Sequence, residues 1–334
     1  MPQAPANWAV WLGSFFVIAA TGTWLARRYA LRRQLVDLPG DRRSHQVPTP
    51  RGGGIAIVAA LLVAIAWLSA YQPGHARFLA AMGIGCALIA GIGWIDDHKP
   101  LSPWLRLAVQ AIAAALLGWG IVQDGAGVVA GVLAFVAAMA LVNIWNFMDG
   151  IDGIATSQAI LVAGAYGFIA GHAPQAWLAF ALVAGCMGFL PFNFPNARIF
   201  LGDVGSGALG FALAGFATWI ASRDWLHAPL LLLPVSAFLI DASWTLAARV
   251  AKRQRWWLPH AEHAYQYWAR RTKSHKIVTL GYAGWTFSAG LFMFWSRDRS
   301  AAFIIAGVMS AFMAGSAIWA CSRRIQRKDE AAGR

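Results

Sequence analysis

Long apolar stretches alternate with short polar connections along the whole chain. Backbone N–H and C=O groups cannot go unpaired in hydrocarbon, so a stretch of about 20 apolar residues predicts a membrane-spanning helix. Eleven stretches fit, in order Trp8–Ala26, Gly53–Ala70, Phe78–Ile95, Trp104–Ile121, Gly127–Val142, Ile154–Ala170, Gln175–Leu190, Gly207–Ala221, Pro229–Ala247, Val278–Trp295 and Ala301–Ala320. The pattern predicts an all-α, polytopic membrane helical bundle of about 11 transmembrane helices, built as a single domain over residues 1–334.

The composition supports a membrane protein over a soluble one. The residues AVILMFWYC make up 59% of the chain and charged residues only 12%, whereas a soluble domain carries about 25% charged residues. Met1–Asn7 lacks the basic residues of a cleavable signal peptide, so none is expected. The three cysteines lie in apolar segments, which argues against a disulfide framework or a zinc cluster.

Positive charge is concentrated on alternate connections. One set of connections, counted together with Arg106 at the start of the fourth span, and the C-terminal tail hold all of the 27 Lys and Arg except Arg77, Arg223, Arg297 and Arg299. This set comprises 27–52, 96–103, 143–153, 191–206, 248–277 and the tail 321–334. The positive-inside rule therefore predicts a periplasmic N-terminus and a cytoplasmic C-terminus. The net charge of +13 reflects this topology and anionic lipid, and no nucleic-acid partner is expected.

An aspartate pair ends the third predicted span on the cytoplasmic side. The adjacent carboxylates of Asp96 and Asp97 repel each other. They also oppose the partial negative charge at a helix C-terminus. A bound cation or phosphate chemistry explains such a pair better than a solvated helix end does.

The segment NIWNFMDGIDG follows the fifth span. Its polar residues Asn143, Asn146, Asp149 and Asp152 recur at every third position among large apolar residues. If the helix continues, the first three lie on one face at the membrane surface. The alternative, a polar turn, would not require four polar residues in register.

The segment FNFPNARIFLGDVGSG leads into the eighth span. It contains Asn193, Arg198 and Asp203, and glycines surround the aspartate. A glycine-rich turn that opens a helix presents free N–H groups to an anion. The carboxylate beside it is suited to a cation that bridges to that anion.

Two further connections add imidazole and guanidinium donors. HAEHAYQ contains His260, His263 and Gln266, and RSHQVPTPRGGG contains His45 and Arg51. Such donors suit a diphosphate or a nucleotide. An amphipathic helix at the membrane interface is the alternative for the former.

Asp241 differs because it lies inside the ninth span. An intramembrane carboxylate faces the bundle interior and needs a partner, for which Arg249 is the candidate. A structural role and a role in the site both remain open for Asp241.

Together, these carboxylates and amide oxygens are the hard ligands that Mg²⁺ or Mn²⁺ prefers beside substrate phosphates. Their predicted position is where a soluble phosphorylated donor meets a lipid phosphate. The residues thus predict phosphoryl transfer at the bilayer surface and leave the sugar and nucleotide open.

The chain resembles the polyprenyl-phosphate N-acetylhexosamine-1-phosphate transferases, which include the phospho-MurNAc-pentapeptide translocases and the bacterial WecA enzyme. The resemblance rests on RSHQVPTPRGGG, GWIDD, NIWNFMDGIDG, FNFPNARIFLGDVGSG and HAEHAYQ, in that order. HAEHAYQ looks most like the branch that initiates O-antigen or other surface-polysaccharide synthesis. The three-histidine loop of the peptidoglycan enzymes is missing, so a MurNAc-pentapeptide donor is not expected.

The resemblance implies a Mg-dependent reaction of a UDP-N-acetylhexosamine with undecaprenyl phosphate, giving undecaprenyl-diphospho-HexNAc and UMP at the cytoplasmic face of the bacterial inner membrane. Asp203 and Asp97 are expected to ligate the metal. The catalytic candidates are Asp96, Asp97, Asp149, Asp152 and Asp203. The substrate-binding candidates are His45, Arg51, Asn143, Asn146, Asn193, Arg198, His260, His263 and Gln266.

Other function classes fit less well. An aspartate-rich membrane prenyltransferase needs DxxxD-like pairs in two loops, and a CDP-alcohol phosphotransferase needs its carboxylates in one helix. A secondary transporter would carry polar residues at mid-membrane depth in two repeated halves, where only Asp241 qualifies. Three questions stay open from the sequence. They are which donor sugar is used, whether the reaction proceeds by direct attack or through a covalent aspartyl intermediate, and whether the chain forms an oligomer such as a homodimer.

Overall fold

The computed structural model describes residues 7–38, 47–255 and 260–332, which contain twelve α-helices and one two-stranded sheet. The helices are α1 (Trp8–Arg32), α2 (Ile55–Tyr71), α3 (Ala76–His98), α4 (Pro103–Gln123), α5 (Val128–Phe147), α6 (Ile154–Ala170), α7 (Pro174–Asn193), α8 (Asp203–Ala221), α9 (Leu232–Ala251), α10 (Ala264–Thr272), α11 (His275–Ser296) and α12 (Ala301–Ala331). Short 3₁₀ turns, Pro73–His75 and Ala228–Leu231, precede α3 and α9. The strands β1 (Val36–Asp37) and β2 (Thr49–Pro50) pair antiparallel.

The predicted all-α membrane bundle is confirmed, and each predicted span coincides with one helix. Nine of the described helices are long and apolar enough to cross a membrane, and α2 and α6, at 17 residues, are shorter. The additional helix α10 has nine residues and lies in the last predicted cytoplasmic connection. The chain is a multi-pass membrane protein. The count of eleven crossings and their sidedness stay predictions.

Helix α8 lies at the centre of the bundle. In an 18-residue apolar stretch of α8, 83% of the residues are buried inside the bundle, whereas in the corresponding stretch of α12 only 6% are buried. It packs against α3 and α5, and glycines allow the close approach. A Cβ on Gly210 would lie 2.2 Å from the Leu141 carbonyl oxygen, and one on Gly93 would lie 2.5 Å from that of Asp203. The glycine-rich start of α8 is thereby placed against the end of α3.

The connections that carry the motifs meet at one end of the bundle, called the site end below. The amides of Gly53 and Gly54 donate to the carbonyls of Phe200 and Leu201 at 2.9 and 2.8 Å. The amide of Phe200 donates to the Pro50 carbonyl at 2.8 Å. These bonds hold residues 50–54 as a non-helical segment beside the turn before α8.

Candidate active site

Asp97 and Asp203 are adjacent although they are far apart in sequence. The amides of Asp203 and Val204 donate to the two carboxylate oxygens of Asp97, each at 3.2 Å. Asp97 is only 4% exposed, which excludes the solvated helix end considered above. The last turn of α3 thus caps the first turn of α8, where the free N–H groups of a helix favour negative charge.

Arg106, in the first turns of α4, joins two of the predicted carboxylates. Its Nη1 donates to Asp96 Oδ2 at 2.8 Å and to Asp203 Oδ2 at 2.6 Å. Asp96 also accepts a hydrogen bond from the amide of Leu101 at 2.6 Å. From the sequence, Arg106 was expected only to contribute positive charge to the cytoplasmic face. Its position just past the aspartate pair was the one available signal.

Asn146 completes the surroundings of Asp203. Its side-chain amide donates to Asp203 Oδ1 at 3.0 Å and to Ser206 Oγ at 3.1 Å. One turn earlier, Asn143 donates to Gln110 Oε1 of α4 at 3.0 Å. The two predicted asparagines therefore face α4 and α8 from one side of α5.

Asp149 lies beyond the end of α5, which stops at Phe147, so it is not on the predicted helical face. Among the described residues its carboxylate accepts no hydrogen bond. Burial raises the pKa of Asp149 well above its ordinary value, and the carboxylates of Asp203, Asp97 and Asp152 raise it further. Four predicted carboxylates thus act on one another electrostatically, and the one without a partner is suited to accept a proton or to meet a cation.

Asp152 and Asn193 hold the turn after Asp149 against the segment before α8. Asn193 is 2% exposed; its Oδ1 accepts from the Gly153 amide at 3.1 Å, and its Nδ2 donates to the Ile199 carbonyl at 3.1 Å. The Ala197 amide donates to Asp152 Oδ2 at 3.2 Å. The buried side chain of Asn193 thus connects the turn at Gly153 to the segment at Ile199. Asp152, by contrast, lines the larger of the two cavities described below.

Asp241 anchors the start of α10. Its carboxylate accepts from the amides of Ala264 and Tyr265 at 2.9 and 3.1 Å, and from the Tyr282 hydroxyl at 2.7 Å. The expected neutralisation by Arg249 does not occur, because Arg249 pairs with Glu262 instead. These contacts fit the structural alternative for Asp241, in which its carboxylate positions the HAEHAYQ segment.

The histidines of this segment stack on each other with ring centroids 4.9 Å apart. Burial, and next the neighbouring His263, lower the pKa of His260 to about 4. His260 is therefore neutral at physiological pH. The side chain of Gln266 is turned toward its own helix start, where Oε1 accepts from the His263 amide at 3.2 Å.

The remaining predicted residues occupy the edges of the site. The guanidinium of Arg51 acts electrostatically on Asp97, and its buried Nε has no hydrogen-bond partner in the described residues. Arg198 is turned away, since its Nη2 donates to the Pro191 carbonyl at 2.5 Å. His45 lies outside the described residues.

Two cavities border the carboxylates. One, of about 80 Å³, lies between α3, α4, α5 and α8, with apolar walls that include Ile89, Ile92 and Leu107; Arg106, Asn143, Asn146 and Asp203 line it as polar groups. The other, of about 1070 Å³, is lined by Asp152, Phe200 and the basic residues that connect α10 and α11. The site end therefore offers a mostly apolar groove and a wide cavity lined in part by basic residues.

The residues present are compatible with a divalent cation that also binds substrate. Within the described ranges, no three His, Cys, Asp or Glu side chains form a preformed metal cluster. Mg²⁺, however, usually takes only one or two carboxylates from the protein and completes its shell with phosphate oxygens and water. The unpartnered carboxylate of Asp149 beside Asp97 and Asp203 supplies such oxygens.

Known proteins of one family are similar to this chain in sequence. The model of glycosyl transferase family 4 matches residues 79–221. A decaprenyl-phosphate N-acetylglucosaminephosphotransferase of Mycolicibacterium smegmatis is 31% identical over 278 residues, which cover 71% of this chain and 68% of that protein. This chain belongs to glycosyl transferase family 4.

Other relatives of this family 4 protein carry similar names. The decaprenyl-phosphate N-acetylglucosaminephosphotransferase of Mycobacterium leprae is 28% identical over 89% of this chain and 87% of its own length. An undecaprenyl-phosphate alpha-N-acetylglucosaminyl 1-phosphate transferase of Yersinia pestis is 28% identical over 61% of this chain and 60% of its own. The resemblance stated from the motifs is confirmed.

The family match contains all five predicted carboxylates and ends before α9. The segments around Arg51 and around α10 lie outside it. The roles assigned to individual residues of this family 4 protein stay predictions. Beyond them, Arg106 and His275 were not predicted from the sequence, because their contacts depend on helix packing.

Proposed function

We propose that this family 4 transferase moves N-acetylhexosamine 1-phosphate from a UDP-sugar to undecaprenyl phosphate and releases UMP. The observation that carries the proposal is the convergence of Asp97, Asp149 and Asp203, the last bound by Arg106, near an apolar groove and a wide cavity with basic residues. The names of the relatives support a polyprenyl phosphate acceptor and an N-acetylglucosamine phosphate donor.

The acceptor is proposed to lie in the groove between α3, α4, α5 and α8. Its apolar walls suit a prenyl chain, whereas Arg106 and Asn146 at its polar end are hydrogen-bond donors for a phosphate. A guanidinium that already spans Asp96 and Asp203 would orient that phosphate beside the carboxylates.

The donor is proposed to lie in the wide cavity. Phe200 offers an aromatic surface on which the base can stack, and the Asp152 carboxylate can accept hydrogen bonds from the N–H groups of the base. Positive charge for the diphosphate comes from Arg270, Lys273 and Lys276. UDP-GlcNAc or a related UDP-HexNAc is the proposed substrate class, and O-antigen or another surface polysaccharide is the proposed product pathway.

In the proposed reaction an oxygen of the lipid phosphate attacks the sugar-linked phosphorus of the donor. A new P–O–P linkage forms, the bond to the bridging oxygen of UMP breaks, and UMP leaves with that oxygen. Asp149, with its raised pKa, is proposed to take a proton from the lipid phosphate, while the amide-bonded Asp97 keeps the start of α8 in place. We favour direct attack over a covalent aspartyl intermediate.

Asp203 and Asp97 are proposed to hold Mg²⁺ or Mn²⁺, which when bound neutralises diphosphate charge and stabilises the leaving nucleotide. Activity is proposed to face the cytoplasm at the bacterial inner membrane, because the site end carries most of the Lys and Arg residues.

The test is UMP release by purified protein in nanodiscs with a panel of UDP-GlcNAc, UDP-GalNAc, UDP-QuiNAc and UDP-FucNAc. Release is expected only with both undecaprenyl phosphate and Mg²⁺. Asp203→Asn is expected to lower it at least about a hundredfold. Asp298→Asn, a matched change at a side chain that is 84% exposed, is expected to leave it unchanged.

Two results would contradict the proposal. UMP release at an equal rate without the lipid would make the protein a hydrolase. Full activity in excess EDTA would remove the divalent cation from the reaction.

A further inference from the structure

The elbow between α10 and α11, residues 270–276, forms one wall of the wide cavity. It lies outside the family match at 79–221. It belongs to the predicted cytoplasmic connection 248–277, but none of its residues was among the predicted site residues. Arg270, Lys273, Ser274, His275 and Lys276 of the elbow line this cavity together with Asp152 and Phe200.

His275 contacts Asp152 at two points. The Asp152 amide donates to His275 Nδ1 at 3.4 Å, and the same nitrogen lies 3.3 Å from Asp152 Oδ1. One turn along α11, the Thr279 hydroxyl donates to the Asp152 carbonyl at 2.9 Å. The start of α11 therefore holds the amide, the carboxylate and the carbonyl of a single residue.

This arrangement holds Asp152 whichever charge the imidazole carries. A neutral His275 whose Nδ1 carries no proton accepts from the amide, whereas a protonated one donates to the carboxylate. The second carboxylate oxygen is held by the Ala197 amide at 3.2 Å. The direction in which Asp152 faces the cavity is thus set jointly by α11 and by the segment before α8.

The elbow also concentrates positive charge at the cavity. Arg270, Lys273 and Lys276 line it, and Asp152 is the one acidic residue among the described lining residues. Lys273 has a φ of +52°, a left-handed conformation that glycine usually takes after a helix. The turn thus places a cation where a glycine would form the same turn with less strain.

We propose that the α10–α11 elbow is the donor-recognition element of this chain, in which His275 is a positioning residue for Asp152 and Lys273 and Lys276 bind the anionic part of a nucleoside diphosphate. This inference rests on the proposed function for the identity of the donor. Binding of the nucleoside diphosphate itself is separable from turnover.

The test is calorimetric binding of UDP to the full chain in nanodiscs. His275→Ala and the pair Lys273→Ala/Lys276→Ala are each expected to weaken UDP binding about tenfold, the effect of one lost hydrogen bond to a charged group. His275→Asn, whose side-chain amide can replace Nδ1, is expected to recover part of the loss. Arg299→Ala, which removes an exposed cation elsewhere, serves as the control.

Kinetics on the same variants separate positioning from general damage. With active protein, the KM for the UDP-sugar is expected to rise about tenfold in His275→Ala while the KM for undecaprenyl phosphate stays constant. Unchanged UDP affinity in both variants, equal losses for His275→Asn and His275→Ala, or no UDP binding by the wild type would overturn the inference. UDP binding that depends on the elbow in a protein that releases no UMP would instead refute the proposed function alone.

Discussion

Gly150 lies between the two carboxylates of the DGIDG turn and directly against the fully buried Tyr265 of α10. A Cβ at position 150 would lie 2.2 Å from the Tyr265 hydroxyl oxygen and 3.1 Å from its ring carbon Cζ. The hydroxyl cannot simply rotate away, because it donates to the Phe147 carbonyl at 3.0 Å. Gly150→Ala must therefore push the turn and α10 apart by more than 1 Å, judged from ordinary contact distances of about 3.5 Å.

The expected cost of Gly150→Ala is about 1–3 kcal/mol in the free energy of unfolding, typical of an overpacked site. Because the displaced turn carries Asp149 and Asp152, we also expect UMP release to fall about a hundredfold, the effect of a 1 Å misplacement at a reacting centre. Thermal unfolding in detergent and the UMP assay measure the two effects.

Tyr265→Phe supplies the matched partner for a double-mutant cycle. Burial, and next the carboxylates of Asp241 and Asp149, raise the pKa of Tyr265 well above its ordinary value, so the hydroxyl is a permanent donor. Its removal alone is expected to cost about 1–3 kcal/mol, because the buried Phe147 carbonyl loses its partner.

In Gly150→Ala/Tyr265→Phe the closest clash is gone, and the remaining 3.1 Å contact with Cζ can relax by a few tenths of an ångström. The double variant is therefore expected to be about 1 kcal/mol more stable than the sum of the single changes predicts. Strict additivity, or a Gly150→Ala protein as stable and active as the wild type, would refute the proposed contact between the turn and α10.

Two further predictions concern charge at the site end. Because burial raises the pKa of Asp149, the folded state binds more protons than the unfolded state between the ordinary and the raised pKa, and stability falls as pH rises through that window. Asp149→Asn is therefore expected to raise the Tm at neutral pH by at least about 2 °C while it abolishes UMP release; a lower Tm would contradict this. Arg106→Ala is expected to lower kcat/KM for undecaprenyl phosphate at least about tenfold, because Nη1 bridges two carboxylates beside the groove. Arg106→Lys is expected to have an intermediate kcat/KM. A titration of the acceptor measures this, and a change confined to the KM for the donor would contradict it.

The sequence by itself determined the helical bundle and the end of it at which the predicted site residues meet. A helix satisfies its backbone hydrogen bonds locally, so a long apolar segment predicts its own conformation without knowledge of its neighbours. Alternation of spans then places every second connection on the same face. For this reason Asp97, Asp149 and Asp203 could be assigned to one site although Asp97 and Asp203 are 106 positions apart.

Only the tertiary structure decided which side chains meet there. Arg106 reaches Asp203 because Gly93 lets α3 approach the start of α8 and α4 follows α3. Asp241 caps α10 instead of pairing with Arg249. Both polar groups of the Asn193 side chain form hydrogen bonds with backbone groups.

Asp149 likewise leaves the predicted helical face, because α5 ends before it. Such contacts depend on the rotation and separation of packed helices, which local hydrophobicity does not encode. Lipid-facing and protein-facing apolar residues look alike in one sequence, so the neighbours of each polar side chain follow only once the helices are packed.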